Sequence, residues 1–288
     1  MVTKAIRAEL LKLRKRSLTW ILLGILIGFM ALIHLLLYLI SKIALPGRAG
    51  TDMGNLQRLL GLQMSVPFAL SVLSSFGAVL AVILAASSIG NEYNWRTIRI
   101  ALISSESRSK FLGAKLVSIG LLVLAGMVIG VATGFIMGLI TTGIGGQPFD
   151  FGFATGSYVW NQVLQFGRTF FMLLPFLLLG FFFSLAGRSA MPGIAVGIGV
   201  LFLEPIISSF MVLAGGWVAS VPNYLFNANV TAINSLNHLP LSGRGASAFG
   251  AAGAEAPSVA HAFVVLSAYA LIFLVGAFYL FRKRDVTG

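Results

Sequence analysis

The sequence predicts an all-α integral membrane protein with six transmembrane helices. The 288 residues are 58% hydrophobic and only 10% charged, a balance that a water-soluble domain does not reach. Six uncharged stretches are long enough to cross about 30 Å of hydrocarbon at about 1.5 Å per residue. These stretches show no alternation of apolar and polar residues, which excludes a transmembrane β-barrel.

The whole chain, residues 1–288, is predicted to be one transmembrane domain. The spans are expected at about residues 17–41, 66–90, 116–140, 169–187, 190–213 and 262–281. Basic residues precede the first span, as in a secretory signal, but its length exceeds a signal core and Ser41-Lys42 is a poor cleavage site. The first stretch is therefore predicted to remain as a membrane span.

The basic residues predict the orientation. With the N-terminus in the cytoplasm, fifteen of the 20 Lys and Arg residues fall on the inner side, and five on the outer side. Positive charge favours the cytoplasmic side, so both termini are predicted to lie in the cytoplasm, with the protein in the inner (cytoplasmic) membrane. Anionic lipid then accounts for the net charge of +12, and a nucleic-acid partner is not needed.

Residues 3–16 are predicted to form an amphipathic helix before the first span. Ile6, Leu10 and Leu13 fall on one stripe, flanked by basic residues. Such a helix would lie in the inner membrane interface. A simple run of charges that sets topology explains the same residues, and both interpretations stay open.

The longest outer connection, residues 214–258, is rich in asparagine, aromatic and small residues. It is expected to cap the bundle from outside. Since no segment is long enough for a soluble domain, any energy-converting machinery in the cytoplasm is expected to be another polypeptide.

Catalytic signatures are missing from the sequence. It contains no phosphate loop, no H-E-x-x-H and no G-x-S-x-G motif, and it has no cysteine. We therefore expect no catalytic, cofactor-binding or metal-binding residue in this chain, and no enzymatic activity of its own.

Two polar side chains lie inside predicted spans. Glu204 is the only acid in a span, and a buried acid in a membrane is a candidate for function because its desolvation is costly. The alternative is that Glu204 reaches an outer vestibule and pairs with an arginine such as Arg168. His34 is either a proton relay or a polar contact between helices.

Small residues mark a packing face in the third span. Glycines recur there every four residues, a spacing that lets two helix backbones approach closely. They are Gly126, Gly130, Gly134 and Gly138. The partner helix is expected in this chain or in a second copy.

A polar and aromatic cluster, GNEYNWRTIRI, interrupts the apolar sequence at residues 90–100. As a short helix over about 91–103, it places Trp95, Ile98 and Leu102 on one face and Glu92, Arg96 and Arg99 on a neighbouring face. An exposed Glu–Arg pair contributes only about 0.3–0.5 kcal/mol, so a partner outside the helix is expected to use this cluster. An interfacial loop that sets topology is the alternative.

This region resembles the E-x-x-x-G-T-x-x-x-L-L…R…K signature of ABC-2 type transporter permeases. The matching residues are Glu92, Tyr93, Trp95, Arg96, Thr97, Ile98, Arg99 and Leu102, followed by Arg108 and Lys115, with Arg96 in place of the usual glycine. The run Arg7–Arg14 resembles the amphipathic "elbow" helix of the same family, and the resemblance covers the whole chain.

The resemblance implies the membrane subunit of an ATP-driven exporter, with residues 91–103 as the coupling helix. The implied partners are two separate ATPase subunits, which bind ATP and Mg²⁺, and a second permease copy or a related permease. Its cargo would be a drug, an antimicrobial peptide or a lipid. The alternatives are a proton-coupled secondary carrier that uses Glu204 or His34, and a sensory subunit that transmits mechanical change without transport.

Overall fold

The computed structural model describes residues 2–43, 61–95, 107–146, 148–237 and 257–283. Within these ranges all regular secondary structure is helical, which confirms the all-α class. Its helices are α1 (Val2–Lys15), α2 (Ser17–Ile43), α3 (Leu62–Asn94), α4 (Arg108–Ile144), α5 (Gly156–Gly187), α6 (Ala190–Ala214), a 3-10 helix (Gly216–Tyr224), α7 (Phe226–Asn234) and α8 (Val259–Lys283).

Six of these helices, α2 to α6 and α8, are long and apolar enough to cross a membrane. The protein is therefore a multi-pass membrane protein. Several helices extend beyond the predicted spans, most clearly α5, which begins at Gly156, well before residue 169. Its first turn is capped by the Thr155 side chain, which accepts a hydrogen bond from the Tyr158 amide.

Helices α3 and α5 form the centre of the bundle. In the most apolar 18-residue stretch of each helix, 56% and 61% of the residues are buried, against 11–28% in the other four spans. Helices α2, α4 and α6 pack around α3, while α6 and α8 pack against α5. The outer spans consequently present large apolar side chains such as Leu203 and Val264 outward, as expected for surfaces that face lipid.

The ends of α3 and α6 touch through their backbones. A Cβ atom added at Gly90 would overlap the backbone of Ser189 and Ala190, so only glycine permits this approach. Between α5 and α6, Arg188 adopts a left-handed conformation with φ of 52°. The end of α3 is thereby held against the α5–α6 turn.

The first part of the predicted outer loop does not cap the bundle but enters it. The Phe226 ring stacks on Tyr269 at 4.3 Å and lies 5.1 Å from Phe176, which is about 17 Å along α5 from its end at Gly187. The 3-10 helix and α7 thus form a hairpin that reaches about half-way along the spans. The expectation of an external cap is wrong for Phe226 at the start of α7, whereas Asn223 and Tyr224 contact His261 near the start of α8. Residues 238–256 lie outside the described ranges.

Candidate functional site

Four charged side chains meet where α1 packs on the ends of α3 and α4. Glu9 and Lys12 are one turn apart on α1, Glu92 lies in the last turn of α3, and Lys115 lies near the start of α4. We call these four residues the ion cluster. Because α1 and α4 pack directly on each other, residues far apart in sequence are brought to one point.

Lys115 is the centre of the ion cluster. Its Nζ atom lies 2.8 Å from Oε2 of Glu9 and 2.8 Å from Oε1 of Glu92, and 3.5 Å from the carbonyl oxygen of Ser88. The Lys115 side chain is only 1% exposed, and that of Glu92 only 2%. Lys12 pairs with Glu9 and lies 3.3 Å from Oε1 of Glu92.

The ion cluster is electrically balanced, with two carboxylates and two ammonium groups. A single buried charge is strongly unfavourable, whereas a buried pair with good geometry recovers most of its desolvation cost. The Lys12 side chain is 46% exposed, so solvent weakens its contribution. Lys115 is therefore the buried cation that both acids share, and Lys12 supplies the second positive charge.

The charges of the ion cluster shift the pKa values of the α1 residues. Burial alone would raise the pKa of Glu9, but Lys115 and Lys12 outweigh it and hold this pKa below its ordinary value of 4.5. Burial alone would lower the pKa of Lys12, but Glu9 and Glu92 raise it above 10.5. The lowered pKa of Glu9 stabilises the fold above pH 4.5, and this contribution is lost as the pH falls through the folded value. The raised pKa of Lys12 stabilises it below pH 10.5, and this is lost as the pH rises through the folded value.

Apolar and hydroxyl contacts hold α1 in place around the ion cluster. Leu13 is buried in the core, while Ile6 and Leu10 are half-buried. The Ser118 hydroxyl donates to the carbonyl oxygen of Ile6 at 3.2 Å, and that of Thr19 donates to the carbonyl of Leu13 at 2.6 Å. The predicted apolar stripe of α1 therefore packs partly on protein, and its buried face includes Glu9.

The structure corrects the expectation for Glu92. Asn91–Asn94 continue α3 and do not begin a separate helix at residue 91. Glu92 points into the chain, where Lys115 and Lys12 bind it, so it does not present its charge to a partner. The family signature includes Lys115, but the sequence alone does not predict its contact with Glu92, because that contact depends on how α3 and α4 pack.

The remaining residues of the predicted coupling helix divide into two groups. Tyr93 packs against the hydrophobic core, whereas Trp95 is 61% exposed, with the Arg16 guanidinium 5.2 Å from its ring centroid. The others lie outside the described residues, namely Arg96, Thr97, Ile98, Arg99 and Leu102.

Sequence reasoning missed Glu9 and Lys12 as members of the site. Their spacing on α1 puts both on one helix face, and Glu9 is an acid within a strongly basic segment. That acid was the feature of the sequence that could have identified α1 as part of the site. Its partner on α4 is 106 residues away, and no local pattern connects them.

Glu204 and His34, the two polar candidates within the spans, serve separate contacts. The Glu204 carboxylate accepts a hydrogen bond from the backbone amide of Asn227, in the first turn of α7. Leu225 at the N-cap of α7 provides no side-chain cap, so Glu204 supplies the cap from α6. Arg168 instead donates to Asn237 at 3.3 Å, and the alternative in which Arg168 pairs with Glu204 is not formed.

His34 of α2 is buried against α3. Its Nδ1 atom is 2.9 Å from the carbonyl oxygen of Met30, and its ring meets Phe68 edge-on with centroids 5.0 Å apart. The polar contact is thus with the preceding turn of α2, whereas the neighbour on α3 is aromatic.

The glycines of α4 differ in their surroundings. Gly130, Gly134 and Gly138 lie against α3, whose facing residues are Leu73, Ala69 and Ser65. A Cβ atom added at Gly126 would meet no atom within 4 Å. Three of the four glycines therefore serve packing inside this chain, and the fourth borders open space.

The fold and the ion cluster define a class: an all-α, multi-pass membrane protein whose amphipathic first helix is bound by buried charges to two spans. The family described as "Protein of unknown function (DUF2705)" matches residues 28–287, so the chain belongs to this family. The "Uncharacterized protein YhcI" of Bacillus subtilis (strain 168) is 25% identical over 216 residues. That alignment covers 71% of this chain and 63% of the relative, so the chain spans less than two thirds of the relative's length.

Proposed function

We propose that this chain is the membrane permease subunit of an ATP-driven exporter of the ABC-2 type, with its N-terminus in the cytoplasm. The observation that supports this most is the ion cluster. It joins α1 to the ends of α3 and α4 beside the segment that the family resemblance identifies as the coupling helix. A subunit driven by a separate ATPase needs such a junction, because force applied at one segment must reach several spans.

The ion cluster suits this role physically. Pulling Glu92 from Lys115 would break an ion pair whose two side chains are almost fully buried, and separating buried opposite charges is strongly unfavourable. A displacement of the end of α3 therefore carries α1 and α4 with it. On its other side α3 meets the backbone of Ala190, so the same displacement reaches α6.

Trp95 is the described residue best placed to meet the ATPase. It follows α3 directly and is largely exposed, with Arg16 beside its ring. Exposed tryptophan and arginine side chains are common anchors of protein interfaces. Two ATPase subunits, with their ATP and Mg²⁺, and a second permease would complete the exporter.

The proton-coupled carrier receives less support. The Glu204 carboxylate holds the first turn of α7, and His34 contacts Met30 and Phe68, so the two groups do not share a site. The inserted hairpin is compatible with export and with a sensory role alike, because both need movement to reach the outer side.

The test is co-purification of the full chain with an ABC ATPase encoded beside it. Trp95→Ala is expected to lower the recovered ATPase at least tenfold, as for a residue at the centre of an interface. Trp160→Ala is the matched control, since Trp160 is also 61% exposed but lies near the opposite end of the bundle. Recovery should then remain at the wild-type level.

The outcomes separate the three functions. Transport by the isolated chain that is driven by a pH gradient, without ATP, would show a secondary carrier. ATPase association with no cargo-stimulated hydrolysis and no transport would show a sensory subunit. Equal recovery of ATPase with Trp95→Ala and wild type would contradict the proposed docking residue.

A further inference from the structure

A narrow apolar groove opens between α2, α3 and α4. Its volume is about 200 Å³. Leu26 and Leu23 of α2 form one wall, Gly77 and Ala81 of α3 form the floor, and Gly126 of α4 borders the other wall. Small residues on the floor and far wall keep the groove open.

The groove runs from one membrane edge to the middle of the bundle. Arg14 and Trp20 line the end next to α1, close to the level of the ion cluster. Gly126 lies about 16 Å along α4 from Lys115, and one leaflet of hydrocarbon is about 15 Å thick. The groove therefore extends across one leaflet, the leaflet that contains α1.

The polar atoms of the lining are concentrated at the α1 end. The Trp20 indole donates to the carbonyl of Arg14 at 2.9 Å, and the Thr19 hydroxyl donates to the carbonyl of Leu13. The Arg14 side chain is exposed, and no carboxylate in the described ranges forms an ion pair with it. The groove thus combines an apolar slot with one available guanidinium at the membrane edge.

We propose that this groove binds one acyl chain of an anionic phospholipid, with the phosphate of the lipid against Arg14. A volume of about 200 Å³ spread over about 15 Å is one hydrocarbon chain wide, whereas a helix from a second copy has a diameter of about 10 Å. Arginine binds phosphate through charge-assisted hydrogen bonds, which explains the single cation at the edge. The evidence for this binding site does not depend on the proposed function.

Trp20 provides a direct probe of the groove. Trp95, Trp160 and Trp217 are all largely exposed, so replacing them with phenylalanine leaves the full chain with Trp20 as its single tryptophan. The protein is placed in phosphatidylcholine bilayers, and either phosphatidylglycerol or phosphatidylcholine with brominated acyl chains is titrated in. Quenching of Trp20 fluorescence then gives the binding constant of phosphatidylglycerol relative to phosphatidylcholine.

We expect a preference of roughly fivefold for phosphatidylglycerol, as for one basic side chain beside an anionic lipid. Arg14→Gln should reduce the preference to one. Gly126→Leu should reduce quenching by both brominated lipids, because its side chain fills the groove. Gly120→Leu is the matched control, since Gly120 also has no atom near an added Cβ but does not line the groove, and quenching should be unchanged.

Three results would overturn the proposal. A relative binding constant of one in the wild type would show ordinary boundary lipid. Equal quenching in Gly126→Leu and Gly120→Leu would show that lipid contacts Trp20 outside the groove. Protection of Trp20 from both brominated lipids would show that a second copy of the chain covers the groove.

Discussion

Replacing Lys115 with methionine removes the cation at the centre of the ion cluster. Its Nζ atom lies 2.8 Å from both Glu9 and Glu92, and Lys12, the second lysine of the ion cluster, has a half-exposed side chain. Removing one partner of a buried ion pair costs about 3–5 kcal/mol, because the remaining charge is left without compensation. We expect Lys115→Met to lower the free energy of unfolding by this amount.

Equilibrium unfolding of the purified chain in mixed detergent micelles measures this loss. Lys110→Met, an exposed position on the same helix, is the control and should change stability by about 0.5 kcal/mol or less. Adding Glu92→Gln to Lys115→Met removes one of the stranded charges. The double variant should therefore lose at least about 1 kcal/mol less than the sum of the single variants. Additive losses, or a Lys115→Met variant as stable as the control, would refute the reasoning.

Three further predictions concern other parts of the structure. The packing of α1 on α4 should weaken below pH 4.5 and above pH 10.5, and a distance probe between the two helices measures this change. Glu9→Gln should remove the weakening at acidic pH, and Lys12→Met should remove the weakening at alkaline pH. Gly134→Ala should lower the free energy of unfolding by about 1–3 kcal/mol, because the added methyl group meets α3. Gly126→Ala should leave the free energy of unfolding unchanged, because its methyl group meets no atom within 4 Å. Equal effects of the two substitutions would contradict the packing of α4 on α3. Glu204→Ala should destabilise the α7 hairpin by about 1–2 kcal/mol, as measured by hydrogen exchange. Glu204→Gln should destabilise it by less, since the amide oxygen still accepts a hydrogen bond from the first turn of α7. A proton-coupling role would instead make Glu204→Gln as damaging to transport as Glu204→Ala.

Most of the helical framework follows from the sequence. The predicted spans at 190–213 and 262–281 correspond to α6 (Ala190–Ala214) and α8 (Val259–Lys283), because a charge-free stretch of this length has few alternatives in a membrane. The hairpin at residues 216–234 was not predictable in the same way. Each helix of the hairpin is only 9 residues long and carries polar side chains, so hydropathy assigns the hairpin to a loop outside the membrane.

The candidate site shows the same division. Glu92 and Lys115 stand out in the sequence through the family signature, but their contact depends on how α3 and α4 pack. Glu9 shares no pattern with either, although it is equally close to Lys115. The sequence therefore identified two of the four charges as important and left their partners open.

The sequence by itself determined the class of protein and the number of spans, because the cost of placing charged side chains in hydrocarbon is a property of each segment alone. Only the tertiary structure decided that Glu92 faces Lys115 and Lys12, that Glu204 caps α7 while Arg168 contacts Asn237, and that the hairpin enters the bundle. Each of these contacts joins segments that are distant in sequence, so its energy depends on the packing of the whole bundle.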